Sequence, residues 1–251
     1  MNPVHILATC RNPSLFDATL LVFKTIRVGF PTAPITIWLN GLKREQEDKI
    51  CVEAKKIGAE KNIMLKTSHA SWISNLLVAE PAPFWICDTD VIFWDSMEGF
   101  SFNKPMAGRC VPSFFDLYTN CVTTHRLHTS LMYFDPREIY KSVQGYKGQF
   151  PSDTDMNPMA DLVKPMFFRN EDNNDIFYDC CSLLYYVVSG NSFSEKELNC
   201  FDHLNCGTYV DLVEPRGHPG MSARHRAMMD NPTLARGIWR EQEKYYEHYR
   251  V

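Results

Sequence analysis

Short apolar runs alternate with amphipathic stretches over the first third of the chain. Four runs have the length and composition of buried strands, at 4–8, 35–39, 63–65 and 84–87. Between them, apolar residues recur at helical spacing from Ser14 to Gly29, from Leu42 to Gly58 and from Trp72 to Ala79. This alternation predicts an α/β fold with a mostly parallel central sheet flanked by helices. Sheets of this kind bind ligands beyond the carboxyl ends of their strands.

The rest of the chain has a less regular pattern. The segments with a recognisable period predict a strand, a short helix, a strand and a charged terminal helix, at 130–134, 137–144, 208–213 and 233–250. Residues 178–188 are apolar enough for a buried helix or a buried strand, and their periodicity does not distinguish between the two. Residues 145–175 are rich in Gly, Pro, Asn and Asp, which predicts a long loop. Because no linker divides the sequence, we expect one domain with an irregular C-terminal half.

Composition narrows the class of protein without indicating its chemistry. The 251 residues are 45% hydrophobic and 22% charged, which is ordinary for a globular domain. The sequence contains no run of 18 apolar residues and does not begin like a secretory signal, so we expect no membrane anchor. The nine cysteines are scattered without a pairing framework, which predicts reduced thiols and a cytoplasmic location.

The net charge of −4 gives no protein-wide positive field that would attract nucleic acid. The charge is uneven, however, because residues 215–251 contain seven Lys or Arg and four Asp or Glu. Aromatic residues are interleaved with these charges. An amphipathic helix packed on the sheet is the commoner explanation, and a surface that holds nucleic acid stays open as the alternative.

Two carboxylates interrupt the most apolar segment of the chain. Asp88 and Asp90 stand between the tetrads 84–87 and 91–94. Burying an unpaired carboxylate is costly, so acids in such a place normally have a partner or a metal ion. Alternate residues of an extended chain point to the same side, which places both carboxylates together at the end of the fourth predicted strand. Since paired carboxylates suit Mg²⁺ or Mn²⁺ held with substrate phosphates, we predict a metal site rather than a solvated Asp-Thr-Asp turn.

This Asp-Thr-Asp segment resembles the D-x-D signature of GT-A-fold glycosyltransferases, which use nucleotide-sugar donors. The opening ILATCRNPSLFDATLLVFKTI is similar to the first strand and helix of that fold. HTSLMYFDP is similar to the F-N-x-G stretch of family 8 and related retaining enzymes, with His128 in place of the Asn and Ser130 in place of the Gly. His218-Pro219-Gly220 resembles the late His-x-x-Gly element, with one residue fewer.

The resemblance implies a single GT-A-like domain over 1–251, with a nucleotide-binding half at 1–95 and an acceptor-side half with a C-terminal helix at 96–251. It implies transfer of a sugar from a nucleoside-diphosphate sugar, by default a UDP-sugar, to a hydroxyl acceptor, with retention of configuration. The acceptor is a glycan, a protein or a hydroxylated base in DNA. The required metal is Mn²⁺ or Mg²⁺.

For the metal, the resemblance implies Asp90 as the most direct ligand and Asp88 as a second contact that also reaches the donor. It implies His218 as the third protein ligand. His203 is the competitor, within the string C-x₂-H-x₂-C, whose spacing is unusual for zinc and fits a buried thiol pair better.

For the donor, Thr9, Arg11 and Asn12 follow the first strand, and the resemblance implies contacts to the base and ribose. The alternative is that they only shape the turn and the helix start. Arg224 and Arg226 form a basic cluster whose guanidinium groups suit diphosphate oxygens, the alternative being a solvated helix face.

On the acceptor side, the resemblance implies His128, which we count with Asp88 and Asp90 among the catalytic residues. An inverting enzyme would also need a carboxylate base, and the sequence does not choose among Asp135, Asp153, Asp179 and Asp202. Two other functions stay open: a nucleotidyltransferase that forms nucleotide sugars, which the lack of glycine in the turn after the first strand disfavours, and a non-catalytic binding protein on the same scaffold.

Overall fold

The structure, a computed structural model, describes residues 1–9, 16, 19–64, 66–116, 120–144, 158–169, 175–204, 227–228 and 230–251. The strands among them are β1 (Val4–Ala8), β2 (Ile35–Asn40), β3 (Glu60–Met64), β4 (Phe84–Asp88), β5 (Val91–Phe93), β6 (Met106–Val111), β7 (Phe114–Asp116), β8 (Cys121–Thr123), β9 (Arg126–Phe134), β10 (Met166–Arg169), β11 (Asp175–Tyr178), β12 (Asn191–Ser192) and β13 (Phe201–His203). The helices are α1 (Leu21–Gly29), α2 (Arg44–Lys56), α3 (His69–Ala79), α4 (Pro136–Gln144), α5 (Pro158–Val163), α6 (Ser182–Val188), α7 (Glu195–Leu198) and α8 (Ile238–His248).

The strands form three sheets. Seven of them are ordered β12-β6-β9-β4-β1-β2-β3, four are ordered β10-β11-β8-β7, and β13 pairs with β5. β1, β2 and β3 run parallel, as do β12 and β6, whereas β6 and β9 are antiparallel. The predicted α/β class, with a mostly parallel sheet and flanking helices, is confirmed.

The chain divides into two compact units. Unit 1 comprises 1–66, 86–100 and 194–245, and unit 2 comprises 67–85, 101–193 and 246–251. Unit 1 contains the parallel strands β1 to β3, the end of β4, the ribbon of β5 and β13, and most of α8. Unit 2 contains β6 to β12 with α3 to α6. The predicted halves at 1–95 and 96–251 stay a prediction about function.

Local sequence explains the elements of the first third. β1 is buried throughout, and β2 alternates buried and half-buried residues before a buried end. α1 ends at Gly29 as predicted, and its Cα packs so closely on the Phe93 ring that a Cβ would lie 2.3 Å from a ring carbon. α3 begins earlier than predicted because Ser68 caps it, with its hydroxyl accepting from Ser71 N at 3.1 Å.

Three predictions for the later chain are corrected or refined. The stretch 145–175 was expected to lack periodic structure, but its described part contains α5 and β10. Most of 178–188 is helical, because β11 ends at Tyr178 and α6 begins after Cys181. Cys181 has a φ of 65°, which turns the chain between the strand and the helix. The terminal helix begins at Ile238, because Gly237 at φ 80° separates it from a 3₁₀ turn at Pro232–Ala235. The predicted helix start at Ser14 and the strand at 208–213 lie outside the described residues.

None of the helices in the described ranges combines the length and apolar character needed to cross a membrane.

Candidate metal centre

The two predicted carboxylates lie in a short turn between β4 and β5. β4 is buried from Phe84 to Cys87 and becomes half-buried at Asp88, where the strand ends. The turn is fixed by its backbone: Val22 N, on α1, donates to Thr89 O at 3.3 Å, and Leu204 N donates to Asp90 O at 3.0 Å. The acids are therefore placed by a strand with an apolar core, not by a mobile surface loop.

A second chain segment brings a histidine to this turn. β13 runs antiparallel to β5, with His203 opposite Val91 in the register. His203 is buried, and its Nε2 lies 3.1 Å from Asp90 Oδ1. The pairing of two three-residue strands thus sets an imidazole against one of the predicted metal ligands.

Asp88, Asp90 and His203 together have the donor atoms of a metal site. One ligand atom from each lies within 4.8 Å of the others. Atoms that bind one divalent ion at about 2.2 Å stand at most about 4.4 Å apart, so small side-chain adjustments would suffice. Two carboxylates and one neutral imidazole form a set that suits Mn²⁺, and suits Mg²⁺ less well because of the nitrogen. The three residues therefore fit the predicted ion.

The acids produce a negative potential at the end of β4. Burial raises the pKa of the Cys87 thiol well above its usual range, and the charges of Asp88 and Asp90 raise it further. The thiol stays protonated and donates to Asp88 O at 3.2 Å. A concentrated negative charge at the edge of a buried strand is the electrostatic setting in which a cation binds.

The other face of β13 is occupied by a carboxylate with a different environment. Asp202 is 1% exposed and accepts hydrogen bonds from Trp94 Nε1 at 2.6 Å and from Gly237 N at 2.8 Å. Trp239 N donates at 3.3 Å. Burial raises the Asp202 pKa, and these donors partly oppose the rise. This residue, a candidate base in the sequence, anchors the start of α8 to β13.

α8 also contacts the backbone of the candidate ligand. Gln242 Nε2 donates to His203 O at 2.9 Å, and Gln242 is itself buried. Together with the Asp202 contacts, this bond connects β13 to α8 at two successive residues. The backbone that carries the His203 imidazole is therefore held in place by α8.

The remaining sequence-predicted residues fall into three groups. Thr9 directly follows β1, the sheet neighbour of β4, and is half-buried. His128 lies on β9 in unit 2, opposite Arg109 in the register, and its Nδ1 accepts from Ser130 N at 3.2 Å. The third group lies outside the described residues: Arg11, Asn12, Asp153, His218, Arg224 and Arg226.

The two other acids considered as bases have structural contacts within unit 2. Asp135 Oδ1 accepts from Arg137 N at 3.1 Å and from Glu138 N at 3.3 Å, which caps α4. Asp179 Oδ2 lies 3.0 Å from Arg126 Nη2 in an ion pair with one buried member. Both acids therefore have partners within unit 2.

The sequence favours His218 over His203 as the third ligand, since His203 lies within a C-x₂-H-x₂-C pattern that suggests a buried thiol pair. The useful signal was present in the composition around it, because Phe201 and Leu204 make the segment apolar enough to be buried. A histidine inside a buried three-residue strand needs a polar partner, and Asp90 supplies it.

No protein-family model matches the sequence, and no curated protein matches it. Among solved structures, the fold is similar to the glycosyltransferase GlyE of Streptococcus pneumoniae TIGR4, at 10% identity and a TM-score of 0.42, over 78% of this chain and 46% of GlyE. The chain thus spans about half the length of that protein.

Two further solved structures show the range of the likeness. One is the mannosyltransferase PcManGT from Pyrobaculum calidifontis in complex with GDP-Man and Mn²⁺, at 12% identity and a TM-score of 0.39, over 72% of this chain and 57% of that one. The other is a cytidylyltransferase from Leptospira borgpetersenii serovar Hardjo-bovis (strain JB197), at 11% identity and a TM-score of 0.45, over 94% and 96%. The similar structures therefore include glycosyltransferases, as the resemblance predicted, and a nucleotidyltransferase. At these identities and TM-scores, the activity has to be argued from the site residues.

Proposed function

We propose that the protein is a metal-dependent glycosyltransferase that moves a sugar from a nucleoside-diphosphate sugar to a hydroxyl acceptor. The observation that carries the proposal is the cluster of Asp88, Asp90 and His203, with one ligand atom from each within 4.8 Å at the end of β4. The same two acids resemble the D-x-D signature, which in GT-A-fold glycosyltransferases is associated with a metal ion and a nucleotide-sugar donor. A UDP-sugar donor and retention of configuration are part of the proposal and rest on that resemblance alone.

The three side chains would hold Mn²⁺ or Mg²⁺, with Mn²⁺ favoured by the imidazole ligand. When bound, the ion would neutralise the two phosphates of the departing nucleoside diphosphate as a Lewis acid. His203 Nε2 lies 3.1 Å from Asp90 Oδ1, so these two donor atoms are close enough to be shared by one ion. His203 replaces His218 as the third ligand in this proposal, and His218 is kept as a fourth.

The donor and acceptor contacts extend the proposal beyond the cluster. Thr9, Arg11 and Asn12 are assigned to the base and ribose, and Arg224 and Arg226 to the diphosphate oxygens. His128 is assigned to the acceptor side. The acceptor is a glycan or a protein, with a hydroxylated DNA base as the alternative that the basic C-terminal segment supports. A reducing, cytoplasmic setting is proposed because the described cysteines are free.

The test is a thermal-shift screen of nucleoside diphosphates and nucleotide sugars, each with and without Mn²⁺. A ligand that binds only the folded state raises the melting temperature by mass action. We expect one diphosphate to stabilise the protein only with Mn²⁺, and Asp90→Asn to abolish that shift. Asp95→Asn, an exposed acid of the same segment, is the matched control and should leave the shift unchanged.

Product analysis then separates the activities. Release of a nucleoside diphosphate from a nucleotide sugar supports glycosyl transfer, whereas release of pyrophosphate from a nucleoside triphosphate and a sugar phosphate indicates nucleotidyl transfer and overturns the proposal. If none of the nucleotides shifts the melting temperature with Mn²⁺, the binding-protein alternative replaces the enzyme. A DNA acceptor would show a steep loss of binding with added salt, which a glycan acceptor would not.

A further inference from the structure

A cysteine and a histidine of unit 2 are hydrogen-bonded to each other outside the proposed metal site. Cys110 lies near the end of β6, and His125 directly precedes β9. Cys110 is opposite Leu127 in the register of these antiparallel strands, which brings the residues just before β9 close to the end of β6. Cys110 Sγ lies 2.7 Å from His125 Nε2. At this distance the thiol and the imidazole are direct hydrogen-bond partners.

The surrounding residues orient the imidazole. His125 N donates to Ser113 Oγ at 2.9 Å, and the ring lies edge-on to Tyr185 with centroids 5.4 Å apart. Cys110 and His125 are both half-buried, so neither residue is sealed in the core. The pair is thus oriented by its neighbours and partly exposed.

Two titratable groups of α6, Tyr185 and Tyr186, interact electrostatically with Cys110. Burial raises the pKa of each phenol, and a negative charge at Cys110 raises both further. Both phenols are therefore neutral near pH 7, where they neither repel a thiolate nor compete for the histidine proton. His125 is the base that faces the sulfur.

We propose that Cys110 and His125 form a thiolate–imidazolium pair that makes Cys110 a reactive cysteine, subject to oxidation by hydroperoxides and to alkylation by small electrophiles. In the oxidation, the thiolate sulfur attacks one oxygen of the hydroperoxide, the O–O bond breaks, and sulfenic acid forms. The leaving oxygen takes the proton of the imidazolium, so hydrogen peroxide yields water. This site is independent of the proposed sugar transfer.

The remaining described cysteines provide the contrast. Most are buried, and for Cys87 and Cys200 burial raises the thiol pKa, which disfavours the nucleophilic thiolate. Cys51 is half-buried like Cys110, but its neighbour is a lysine, with Lys61 Nζ 3.4 Å from the sulfur. A neighbouring ammonium also favours a thiolate. Cys51 is therefore a stringent internal reference, with similar exposure and a lysine in place of the histidine.

The experiment is brief alkylation of the folded, full-length protein with iodoacetamide between pH 5 and 9, followed by peptide mass spectrometry. In this reaction the thiolate forms a thioether and iodide leaves. We expect Cys110 to react at least about tenfold faster than Cys51 at pH 6, because a thiolate stabilised by an imidazolium persists below the ordinary thiol pKa of about 8.5. Treatment with hydrogen peroxide should give a dimedone adduct at Cys110 and not at Cys51.

His125→Asn tests the role of the partner. We expect the pH midpoint of Cys110 alkylation to move up toward that of an ordinary thiol, and the rate at pH 6 to fall about tenfold, with Cys51 unchanged. Equal rates for Cys110 and Cys51 at pH 6 in the wild type would overturn the proposal, as would a folded His125→Asn protein with an unchanged Cys110 profile. If His125→Asn does not fold, the alkylation rates of Cys110 and Cys51 at pH 6 in the wild type are sufficient to test the proposal.

Discussion

The two faces of β13 place neighbouring residues in opposite kinds of environment. Asp202 accepts hydrogen bonds from the Trp94 indole and from backbone N–H groups at the start of α8. His203 faces the acid Asp90, with Asp88 nearby. The contacts of Asp202 are those of a structural anchor, whereas two carboxylates and an imidazole are a donor set that suits a divalent ion. The difference separates an anchor from a site within one strand.

A third buried polar residue of unit 1 has an environment like that of Asp202. His5, on β1, is 3% exposed, and its Nδ1 accepts from Trp38 Nε1 at 3.1 Å. Like Asp202, it is oriented by an indole. Two buried polar side chains of unit 1, His5 and Asp202, are thus each oriented by a tryptophan N–H.

The largest expected effect on stability is at Asp202. In Asp202→Ala the Trp94 indole and the backbone N–H groups of α8 lose their acceptor, so we expect the free energy of unfolding to fall by about 3 kcal/mol or more. Urea unfolding followed by tryptophan fluorescence measures the change. Asp161→Ala, which removes only a solvent-exposed ion pair with Lys164, is the control and should change it by less than about 0.5 kcal/mol. If Asp202→Ala and Asp161→Ala lowered the free energy of unfolding equally, Asp202 would not be the structural anchor that the contacts on its face of β13 suggest.

The neighbouring substitution should affect metal binding instead. His203→Gln removes the imidazole ligand, and we expect the affinity for Mn²⁺ to fall roughly 10- to 100-fold, the range found when groups that support a metal site are lost. Its effect on the unfolding free energy without metal should be smaller than that of Asp202→Ala. Isothermal titration with Mn²⁺ in the presence of the diphosphate found by thermal shift measures the affinity. Wild-type affinity in His203→Gln would restore His218 as the third ligand.

The effect that is smallest near pH 7, and grows only as the pH falls, is a pH dependence from His5. Burial lowers its pKa from 6.5 to about 4, so between these values the unfolded state binds a proton that the folded state does not. The free energy of unfolding therefore decreases as the pH falls through this window, by up to about 1.4 kcal/mol per pH unit. The raised pKa of Asp202 acts in the opposite sense, because its protonation stabilises the folded state at low pH.

The difference between wild type and His5→Gln isolates the histidine, since Asp202 is common to both proteins. Glutamine keeps an acceptor for the Trp38 indole and does not titrate. Urea titrations at pH 4.5, 5.5, 6.5 and 7.5 should show that the two proteins diverge in slope only below about pH 6.5. Parallel curves over the whole range would mean that His5 is not buried as a neutral side chain.

The part of the fold that follows from local pattern was predictable. β1, β2, α2 and β4 each bury one face or a whole run, and their apolar spacing is visible in the sequence. Asp88 and Asp90 were found for the same reason, because the apolar tetrads on either side of them are local. A break at Gly237 was not predicted, since the charged pattern continues across it.

The proximity of His203 to the two acids could not be predicted, because its position depends on a long-range pairing. β5 and β13 have three residues each, too few to show a period, and Trp94 and Asp202 in this ribbon are 108 positions apart. Whether His203 or His218 completes the cluster depends on which segment pairs with β5. That choice is made by tertiary contacts such as those of Asp202 with α8, which no local window contains.

The separation of the ligands along the chain has a consequence for folding. Unit 1 is built from three separate stretches, and the last of them, which carries β13, follows the whole of 101–193. During synthesis the two acids therefore leave the ribosome long before their histidine, and the strand that bears it must close a large loop before its contacts form. We expect the ribbon of β5 and β13 to appear late in refolding, so that the proposed metal site is assembled only as the last long-range contacts are made.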